Sequence, residues 1–252
     1  MSAAPPSSDL DLLRLEIETL WPRDAHGRIS TRRTSPGPAP AFVLASTTAG
    51  LAAAVGRAVP DELAAALAER VQRAAPAEEL SSPPPVLDDC RRRLEAALGP
   101  LELRPGSGPS YLIHEHVDFP ASVPLVRSGD DGAAVTLAGA NPGTWEPDEW
   151  RQLLAGRLGA WAMAIQHDQV IAICHTPVSS PHAAEAGVWT RPEFRGRGHA
   201  AAVTAAWAAL LRSSGRVLFY SAARTNRSSQ RVAARLGLRP IGWLWQLAHA
   251  TP

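Results

Sequence analysis

The order of apolar segments in the second half of the chain constrains its fold more than any other feature. Three short segments with the composition of β-strands follow one another, and helix, strand, helix and strand come after them. These segments lie at 160–166, 170–176 and 183–190, then from about Gly198 to Gly215, at 216–221, from Asn226 or Arg227 to Leu236, and at 241–247. Strands interleaved with helices in this order build a mixed sheet, so the sequence predicts an α/β (α+β) fold.

The earlier part of the chain has a different sequence pattern, which predicts helices separated by proline-rich segments. Leucine and isoleucine residues at helical spacing predict a helix over 10–20, and similar spacing predicts a helix after Pro60 and another that stops at Gly99. A short apolar run at 41–45 predicts a buried strand. This earlier part is therefore expected to be mainly helical.

The sequence pattern changes again from about Tyr111. Residues 124–128 and 133–139 have the composition of short strands, and an amphipathic helix is expected after them. We therefore predict two domains. The first is a mainly helical N-terminal region at 1–120, whose fold the pattern leaves undefined, and the second spans 121–252.

Charge and cysteine content exclude several classes of protein. The net charge is +1 although the chain has 25 basic residues, all of them arginine, so a globally polybasic scaffold is excluded. The two cysteines, Cys90 and Cys174, provide no disulfide framework, which fits a reducing cytoplasm. The first residues lack the pattern of a signal peptide, and no uncharged stretch is long enough to cross a bilayer. We therefore expect a cytoplasmic protein that does not enter a membrane.

One local region departs from this charge balance and contains a glycine-rich turn. Residues 191–240 include ten arginines and a single carboxylate, Glu193. Within them, 195–200 read Arg-Gly-Arg-Gly-His-Ala and lie between a predicted strand and a predicted helix. Glycines let successive backbone N–H groups face outward there, and the positive end of the helix reinforces them. The turn is therefore a candidate pyrophosphate site, to which Arg195 and Arg197 would add charge-assisted hydrogen bonds.

Two segments of the second half carry motifs of a known family. Arg195, Gly198 and Ala200 occupy the fixed positions of the pattern Arg/Gln-x-x-Gly-x-Gly/Ala within the run VWTRPEFRGRGHA. Downstream, NRSS at 226–229 is followed by VAARLGL at 232–238. The first segment resembles the acyl-CoA signature of the GCN5-related N-acetyltransferase (GNAT) family, and the second resembles that family's second conserved block.

The resemblance to this family covers about residues 125–250 and looks closest to its antibiotic-resistance-like branch, with an extra N-terminal region. It implies a mixed, mostly antiparallel sheet flanked by helices, with acetyl-CoA as cosubstrate and no metal. In the family, the strand before the motif holds the pantetheine arm through free backbone groups and directs an N–H at the thioester carbonyl. The residues that the resemblance assigns to coenzyme binding are Val188, Trp189, Thr190, Arg195, Gly196, Arg197, Gly198, His199, Ala200, Asn226 and Ser229. His199 occupies a variable position of the motif, where a structural role is the alternative.

The reaction that the resemblance implies is direct attack of an amine on the thioester. A free amine is mostly protonated near neutral pH, so a base must remove its proton. Glu185 is the candidate base because it is the only carboxylate on the strand that leads to the motif, and pairing with an arginine is its alternative. Many family members have a tyrosine as general acid where this sequence has Ala233. Tyr220 on the preceding strand is our candidate acid, with core packing as its alternative, and the hydroxyls of Ser228 and Ser229 are further candidates.

Three classes of function are compatible with these features. The first is an N-acetyltransferase that acts on an amine, most simply a small molecule, with a protein acceptor and a homodimer as open alternatives. Ala233 motivates the second, a non-catalytic acyl-CoA-binding regulatory module. The arginine-rich end motivates the third, a basic nucleic-acid-binding protein, which the overall charge disfavours. The run His114-Glu115-His116 lacks a recognisable third and fourth ligand, so no metal site is expected.

Overall fold

A computed structural model describes residues 8–30, 39–99 and 103–249 of the chain. In chain order, the described elements are α1 (Asp9–Leu20), β1 (Phe42–Thr47), β2 (Gly50–Val55), α2 (Asp61–Gln72), α3 (Pro85–Leu98), β3 (Leu103–Ile113), β4 (Leu125–Arg127), α4 (Ala133–Leu137), α5 (Pro147–Leu154), β5 (Trp161–Gln166), β6 (Gln169–Ser179), β7 (Ala183–Thr190), α6 (His199–Leu211), β8 (Val217–Ser221), α7 (Arg227–Arg235) and β9 (Arg239–His249). A short 3-10 helix, Pro192–Phe194, follows β7.

Spatial compactness divides the chain into two units. The first comprises Met1–Tyr111, Ser221–Asn226 and Pro240–Pro252, and the second comprises Leu112–Tyr220 and Arg227–Arg239. Each unit is therefore built from segments that are not contiguous in sequence. Because neither unit is one continuous stretch of the chain, these units do not test a boundary between residues 120 and 121, which stays a prediction.

The first unit contains a sheet whose strands lie in the order β2, β1, β9 and β3. β1 pairs antiparallel with both β2 and β9. Apolar side chains of the strands pack against α2 and α3 in one core, in which Phe42, Leu67 and Leu94 are fully buried. The last described strand, β9, thus lies inside the sheet of the first unit.

The predicted elements of the first unit are found where the local signals are strong. α1 begins after Ser8, whose hydroxyl oxygen accepts a hydrogen bond from the N–H of Asp11 at 3.2 Å. α3 ends before Gly99, whose φ of 86° a glycine adopts without strain. The strand expected at 41–45 is confirmed as β1. The sequence did not indicate β2, where glycine and alanine dominate and no alternation is visible.

The second unit contains strands in the order β8, β7, β6, β5 and β4. β7 pairs parallel with β8, whereas β4 with β5, β5 with β6 and β6 with β7 are antiparallel. This arrangement confirms the expected mixed, mostly antiparallel sheet with flanking helices. α6 packs against β5, β6 and β7, and its fully buried Trp207 donates a hydrogen bond from Nε1 to Thr176 Oγ1 at 3.0 Å.

Two local predictions in the second unit have opposite outcomes. The hairpin between β5 and β6 is confirmed, and His167 and Asp168 take positive φ values of 50° and 59° as a two-residue turn requires. The strand predicted at 133–139 is wrong, because this segment contains helix α4. Its buried residues Ala133 and Leu137 are four apart, the spacing of one helix face, while Val135 is 83% exposed.

Candidate functional site

The glycine-rich turn leads from β7 into α6. Gly196 has a φ of 80° and Gly198 a φ of 92°, so the chain twice enters the left-handed region that favours glycine. A Cβ on Gly196 would meet no atom within 4 Å. The glycine at this position thus serves the backbone turn and leaves the surface of the turn open.

The start of α6 presents main-chain donors without a side-chain cap. Gly198 is the N-cap residue, no acidic residue lies in the first turn, and the helix ladder begins with the Ala202 N–H bonded to the Gly198 carbonyl at 3.0 Å. The N–H groups of the first helical residues therefore have no acceptor within the helix. Together with the helix dipole, they favour an anion at this end.

Two arginines hold the turn in place through main-chain carbonyls. Arg195 donates from Nε to the Thr190 carbonyl of β7 at 3.2 Å. Arg235 of α7 donates from Nη1 and Nη2 to the Gly196 carbonyl, both at 3.2 Å. The turn is thus tied to the strand before it and to a helix about 40 residues further along the chain.

The remaining side chains of the turn pack against one another. The Arg197 guanidinium lies 5.3 Å from the centroid of the Phe194 ring, in the geometry of a cation–π contact. The His199 ring centroid is 6.3 Å from that of Phe194, and His199 is buried. Burial lowers the pKa of His199, and the charge of Arg197 lowers it further. The side chain of His199 therefore has a packing role, while its main chain belongs to the uncapped first turn.

The parallel pairing of β7 with β8 covers only the first part of β7. It includes Ala183 opposite Val217, Ala184 opposite Leu218 and Glu185 opposite Phe219, and β7 then continues to Thr190. Residues 187–190 are each partly exposed. This half of β7 is therefore an open strand segment inside the second unit.

Main-chain groups of the open segment point alternately toward β6 and away from it. The Arg191 N–H donates to the Ile171 carbonyl at 2.9 Å, which makes these two residues a hydrogen-bonded antiparallel pair. Hydrogen-bonded and non-bonded pairs alternate along such a ladder. Val188, opposite Cys174, and Thr190, opposite Ala172, therefore direct their N–H and C=O groups away from β6. Trp189 directs its own toward β6, and its side chain packs against the core of the unit.

The candidate base and acid are both buried. Glu185 is 5% exposed and lies at the last parallel pair with β8, where the open segment begins. Burial raises the pKa of the nearby Cys174 thiol, and the Glu185 charge acts in the same direction, against a hydrogen bond with Thr204. Tyr220, which follows Phe219 on β8, is 2% exposed. Cys174 is thus an inert core thiol, and both candidates belong to the interior of the unit.

The second sequence block has separate places in the structure. Ser229 is a partly exposed residue of α7, and Ala233 of the same helix is fully buried. Asn226 is exposed, belongs to the first unit, and donates its N–H to the Ala223 carbonyl at 2.8 Å. The coenzyme-binding roles of Asn226 and Ser229 stay predictions.

Two residues near the candidate site were missed by the sequence analysis. The Phe119 ring lies over the turn, since a Cβ on Gly198 would be 3.1 Å from its Cε1 atom. His175 of β6 lies directly opposite Gly187 of the open segment. Neither belongs to a motif, because each reaches its place through pairing or packing of distant segments.

Within the described ranges, the structure contains neither a metal-binding cluster nor a membrane-spanning helix. No group of three or more His, Cys, Asp or Glu side chains there could hold a metal ion. His114, Glu115 and His116 are all exposed, and His116 Nε2 lies 3.0 Å from Glu115 Oε1. No described helix combines the length and the apolar character that a bilayer crossing requires.

Residues 155–242 match the family described as GNAT acetyltransferase. No protein of curated function matches the sequence.

The solved structures that match the chain share little sequence with it. One is a protein from Novosphingobium aromaticivorans DSM 12444 described as an acetyltransferase of the GNAT family, with 21% identity, a TM-score of 0.45, and coverage of 81% of this chain and 86% of that chain. Another is a GCN5-related N-acetyltransferase-like protein from Streptococcus suis 89/1591, with 18% identity, a TM-score of 0.43, and coverage of 63% and 67%. A third is AAC(6')-Iy in complex with a CoA-containing bisubstrate analogue, with 18% identity, a TM-score of 0.37, and coverage of 46% and 90%.

Proposed function

We propose that the protein transfers an acetyl group from acetyl-CoA to an amine, on the premise that residues 155–242 match the GNAT acetyltransferase family. The observation that carries the proposal is the uncapped start of α6 behind two left-handed glycines, next to an open segment of β7. The start of α6 offers main-chain donors to phosphates, and the open segment of β7 offers main-chain groups to the amides of a pantetheine arm. Binding of an acyl-CoA needs both features, whereas an ordinary surface turn needs neither.

The residues of the turn fit a pyrophosphate. Main-chain N–H groups at the start of α6 have no helical acceptor, and the carbonyl of Gly196 is already bonded to Arg235. The guanidinium of Arg235 thus offsets the negative end of the Gly196 carbonyl, which would otherwise repel an anion. Arg197 is exposed and adds positive charge beside the turn.

The open segment of β7 fits the pantetheine arm and the thioester. Val188 and Thr190 direct main-chain groups away from β6, as the register requires. The Val188 N–H is our candidate donor to the thioester oxygen. A preorganised donor of this kind stabilises a developing oxyanion by about 3 kcal/mol.

Acetyl-CoA would supply the activated acyl carbon, on which a C–N bond to the acceptor forms and the C–S bond to coenzyme A breaks. Glu185, buried at the start of the open segment, is proposed to take the proton that the amine loses, directly or through water. Tyr220 is the proposed donor of a proton to the departing thiolate. Because thiols have an ordinary pKa of about 8.5, the thiolate can also leave without an acid.

Binding of acetyl-CoA tests the proposal most directly. Gly198→Glu introduces a Cβ 3.1 Å from Phe119 and places a negative charge at the start of α6, so calorimetric titration should show loss of acetyl-CoA affinity. Gly215→Glu is a matched control, because Gly215 has a similar φ of 68° and lies beyond the other end of α6. Equal affinity in both variants would place the pyrophosphate elsewhere.

A non-catalytic acyl-CoA-binding module is the second candidate, because Ala233 stands where many family members have a catalytic tyrosine. A screen of small amines, in which release of the CoA thiol is monitored, distinguishes the acetyltransferase from the non-catalytic module. Thiol release with at least one amine supports the enzyme. Tight binding of acetyl-CoA with no release across the screen supports the module.

A further inference from the structure

Three partly exposed aromatic side chains lie on one face of the sheet beside the open segment of β7. Trp189 is directly opposite Ile173 of β6, and His175 lies two residues further along β6, so both rings are on the same face. Trp145, from the loop before α5, meets the His175 ring with centroids 4.8 Å apart and an interplanar angle of 77°. Trp145, His175 and Trp189 are each partly exposed, and together we call them the aromatic surface.

The loop that carries Trp145 is anchored on both sides of the ring. The Trp145 carbonyl accepts a hydrogen bond from Asn141 Nδ2 at 2.9 Å, and Asn141 Oδ1 accepts one from the Gly143 N–H at 2.9 Å. The Trp145 ring also lies 6.3 Å, between centroids, from the buried ring of Trp150. The aromatic surface is therefore preformed, which lowers the entropy that a ligand loses on binding to it.

A further ring on the same face is fully buried, that of Trp161, directly opposite His175 on β5. The main chain of Trp161 bonds to Ser128 on its other side, so Trp161 and His175 form a non-bonded pair, in which side chains lie close. Within the described part of the chain, neither Trp161 Nε1 nor His175 Nδ1 has a hydrogen-bond partner, although both atoms are buried. Buried polar atoms are nearly always paired. What these rings offer is therefore flat apolar surface and not hydrogen bonds.

The candidate base lies beside this surface. Glu185, Gly187 and Trp189 are alternate residues of β7 and so face the same side of the sheet. Gly187 has no side chain, and a Cβ there would be 2.7 Å from His175 Cε1, so the imidazole reaches across to β7. Alternate residues of a strand are about 7 Å apart, a distance that a ring with a two-carbon aminoalkyl chain can span. Burial lowers the pKa of His175 to about 4, so the imidazole is neutral near pH 7 and does not repel a cationic amine.

We propose that the acceptor is an arylalkylamine, whose ring packs against the aromatic surface and whose amino group lies at Glu185. The proposal rests on the proposed function and names its substrate class. The amine nitrogen attacks the acetyl carbon, its proton passes to Glu185, and coenzyme A leaves as the thiolate. Aromatic rings gain from edge-to-face packing beyond the area that they bury, and a saturated ring of the same size does not.

A comparison of three amines on the wild type tests the proposal. Release of the CoA thiol is measured with 2-phenylethylamine, 2-cyclohexylethylamine and spermidine. We expect kcat/KM to be about 10-fold higher for 2-phenylethylamine than for 2-cyclohexylethylamine, and spermidine to be the poorest acceptor. Equal values for the two ring amines would overturn the proposal. A preference for spermidine would also overturn it, and would assign recognition to exposed carboxylates at the start of α5 such as Glu146 and Glu149.

Variants at Trp145 show whether the ring itself is recognised. Trp145→Leu keeps an apolar side chain without a ring and should raise KM for 2-phenylethylamine about 10-fold, with acetyl-CoA affinity as in the wild type. Trp145→Phe keeps a ring and should retain most of the preference. Trp243→Leu is the matched control, because Trp243 is a partly exposed tryptophan of the first unit that also contacts another ring, that of Trp245. Circular dichroism checks folding, and if Trp145→Leu is unfolded, the amine comparison on the wild type decides alone.

The outcomes distinguish this proposal from the proposed function. Wild-type protein that gives no calorimetric signal with acetyl-CoA overturns the proposed function. Thiol release that depends neither on the aromatic ring of the amine nor on Trp145 overturns the aromatic acceptor alone. Saturation-transfer NMR detects 2-phenylethylamine bound in the presence of CoA, without any turnover. Binding that Trp145→Leu weakens, together with no thiol release, overturns the transfer reaction and supports the aromatic surface as the amine site.

Discussion

Among the residues that the structure describes, each unit of the molecule buries one glutamate, and the surroundings of the two differ. Glu16 of α1 is fully buried in the first unit, and its Oε1 accepts a hydrogen bond from Ser110 Oγ at 3.0 Å. Glu185 of β7 is 5% exposed in the second unit and lies where the parallel pairing with β8 ends. Burial alone therefore does not mark a reactive carboxylate. The open main chain beside Glu185 is what makes it a candidate base.

Glu185→Gln should have the largest effect of the predicted substitutions, a loss of turnover. It tests most directly whether Glu185, unlike Glu16, is a reactive carboxylate. Loss of a general base lowers turnover by about 100-fold to 10,000-fold. Turnover of the variant should recover as the pH rises, because more of the acceptor amine is then already deprotonated. The pH dependence of kcat with any accepted amine measures this effect. Wild-type rates at every pH would remove Glu185 from the mechanism.

The next largest effect should be on the pH dependence of the free energy of unfolding, to which His175 contributes. Its pKa is lowered to about 4 in the folded protein from an ordinary value of 6.5. The unfolded state therefore binds more protons between these values, and stability present above pH 6.5 falls toward pH 4 by up to about 1.4 kcal/mol per pH unit. Urea unfolding of wild type and His175→Gln measures the difference. The variant should show the shallower dependence, and parallel curves would contradict the expectation.

Ser110→Ala should affect the first unit without affecting the chemistry of the second. It removes a donor from the buried Glu16 carboxyl, which costs about 1–3 kcal/mol in the free energy of unfolding. Acetyl-CoA affinity should stay at the wild-type value. Ser81→Ala, at an exposed serine of the same unit, is the control and should leave stability unchanged. A loss of turnover larger than the loss of folded protein would mean that Glu16 takes part in the reaction.

The smallest effect is expected from Ser8→Ala, at the start of the helix that carries Glu16. It removes the hydroxyl that accepts the Asp11 N–H, at a cost of about 1 kcal/mol. Ser8→Thr keeps a hydroxyl and should restore most of the loss. Thermal unfolding of both variants measures how much stability the helix start contributes, and comparison with Ser110→Ala shows how this differs from the contribution of the Glu16 contact.

Local sequence signals predicted the parts of the site that lie close together in the chain. The turn at 195–200, the strand before it and the helix after it follow from glycines and apolar spacing within 30 residues. The hairpin at His167 and Asp168 follows from the short gap between two strand patterns. These elements are specified by neighbours in sequence, so the sequence of this chain alone was sufficient to predict them.

Features that depend on distant segments could not be predicted in this way. Phe119 lies over Gly198, and Arg235 bonds to Gly196, although neither spacing leaves a periodic signal. The error at 133–139 has a similar origin, because alanine, valine and leucine suit a strand and a short helix alike. Packing of Leu137 into the core, and the hydrogen bond from Trp150 Nε1 to its carbonyl at 3.1 Å, fix the helix instead.

The position of β9 beside β1 has a consequence for biosynthesis. A ribosome makes β1 well before β9, so the first unit cannot close its sheet until residues 239–249 have been synthesised. The edge of β1 stays available until then, and a nascent chain that stalls before residue 239 exposes it to other chains. Closure of the first unit therefore depends on the synthesis of a strand that is distant in sequence.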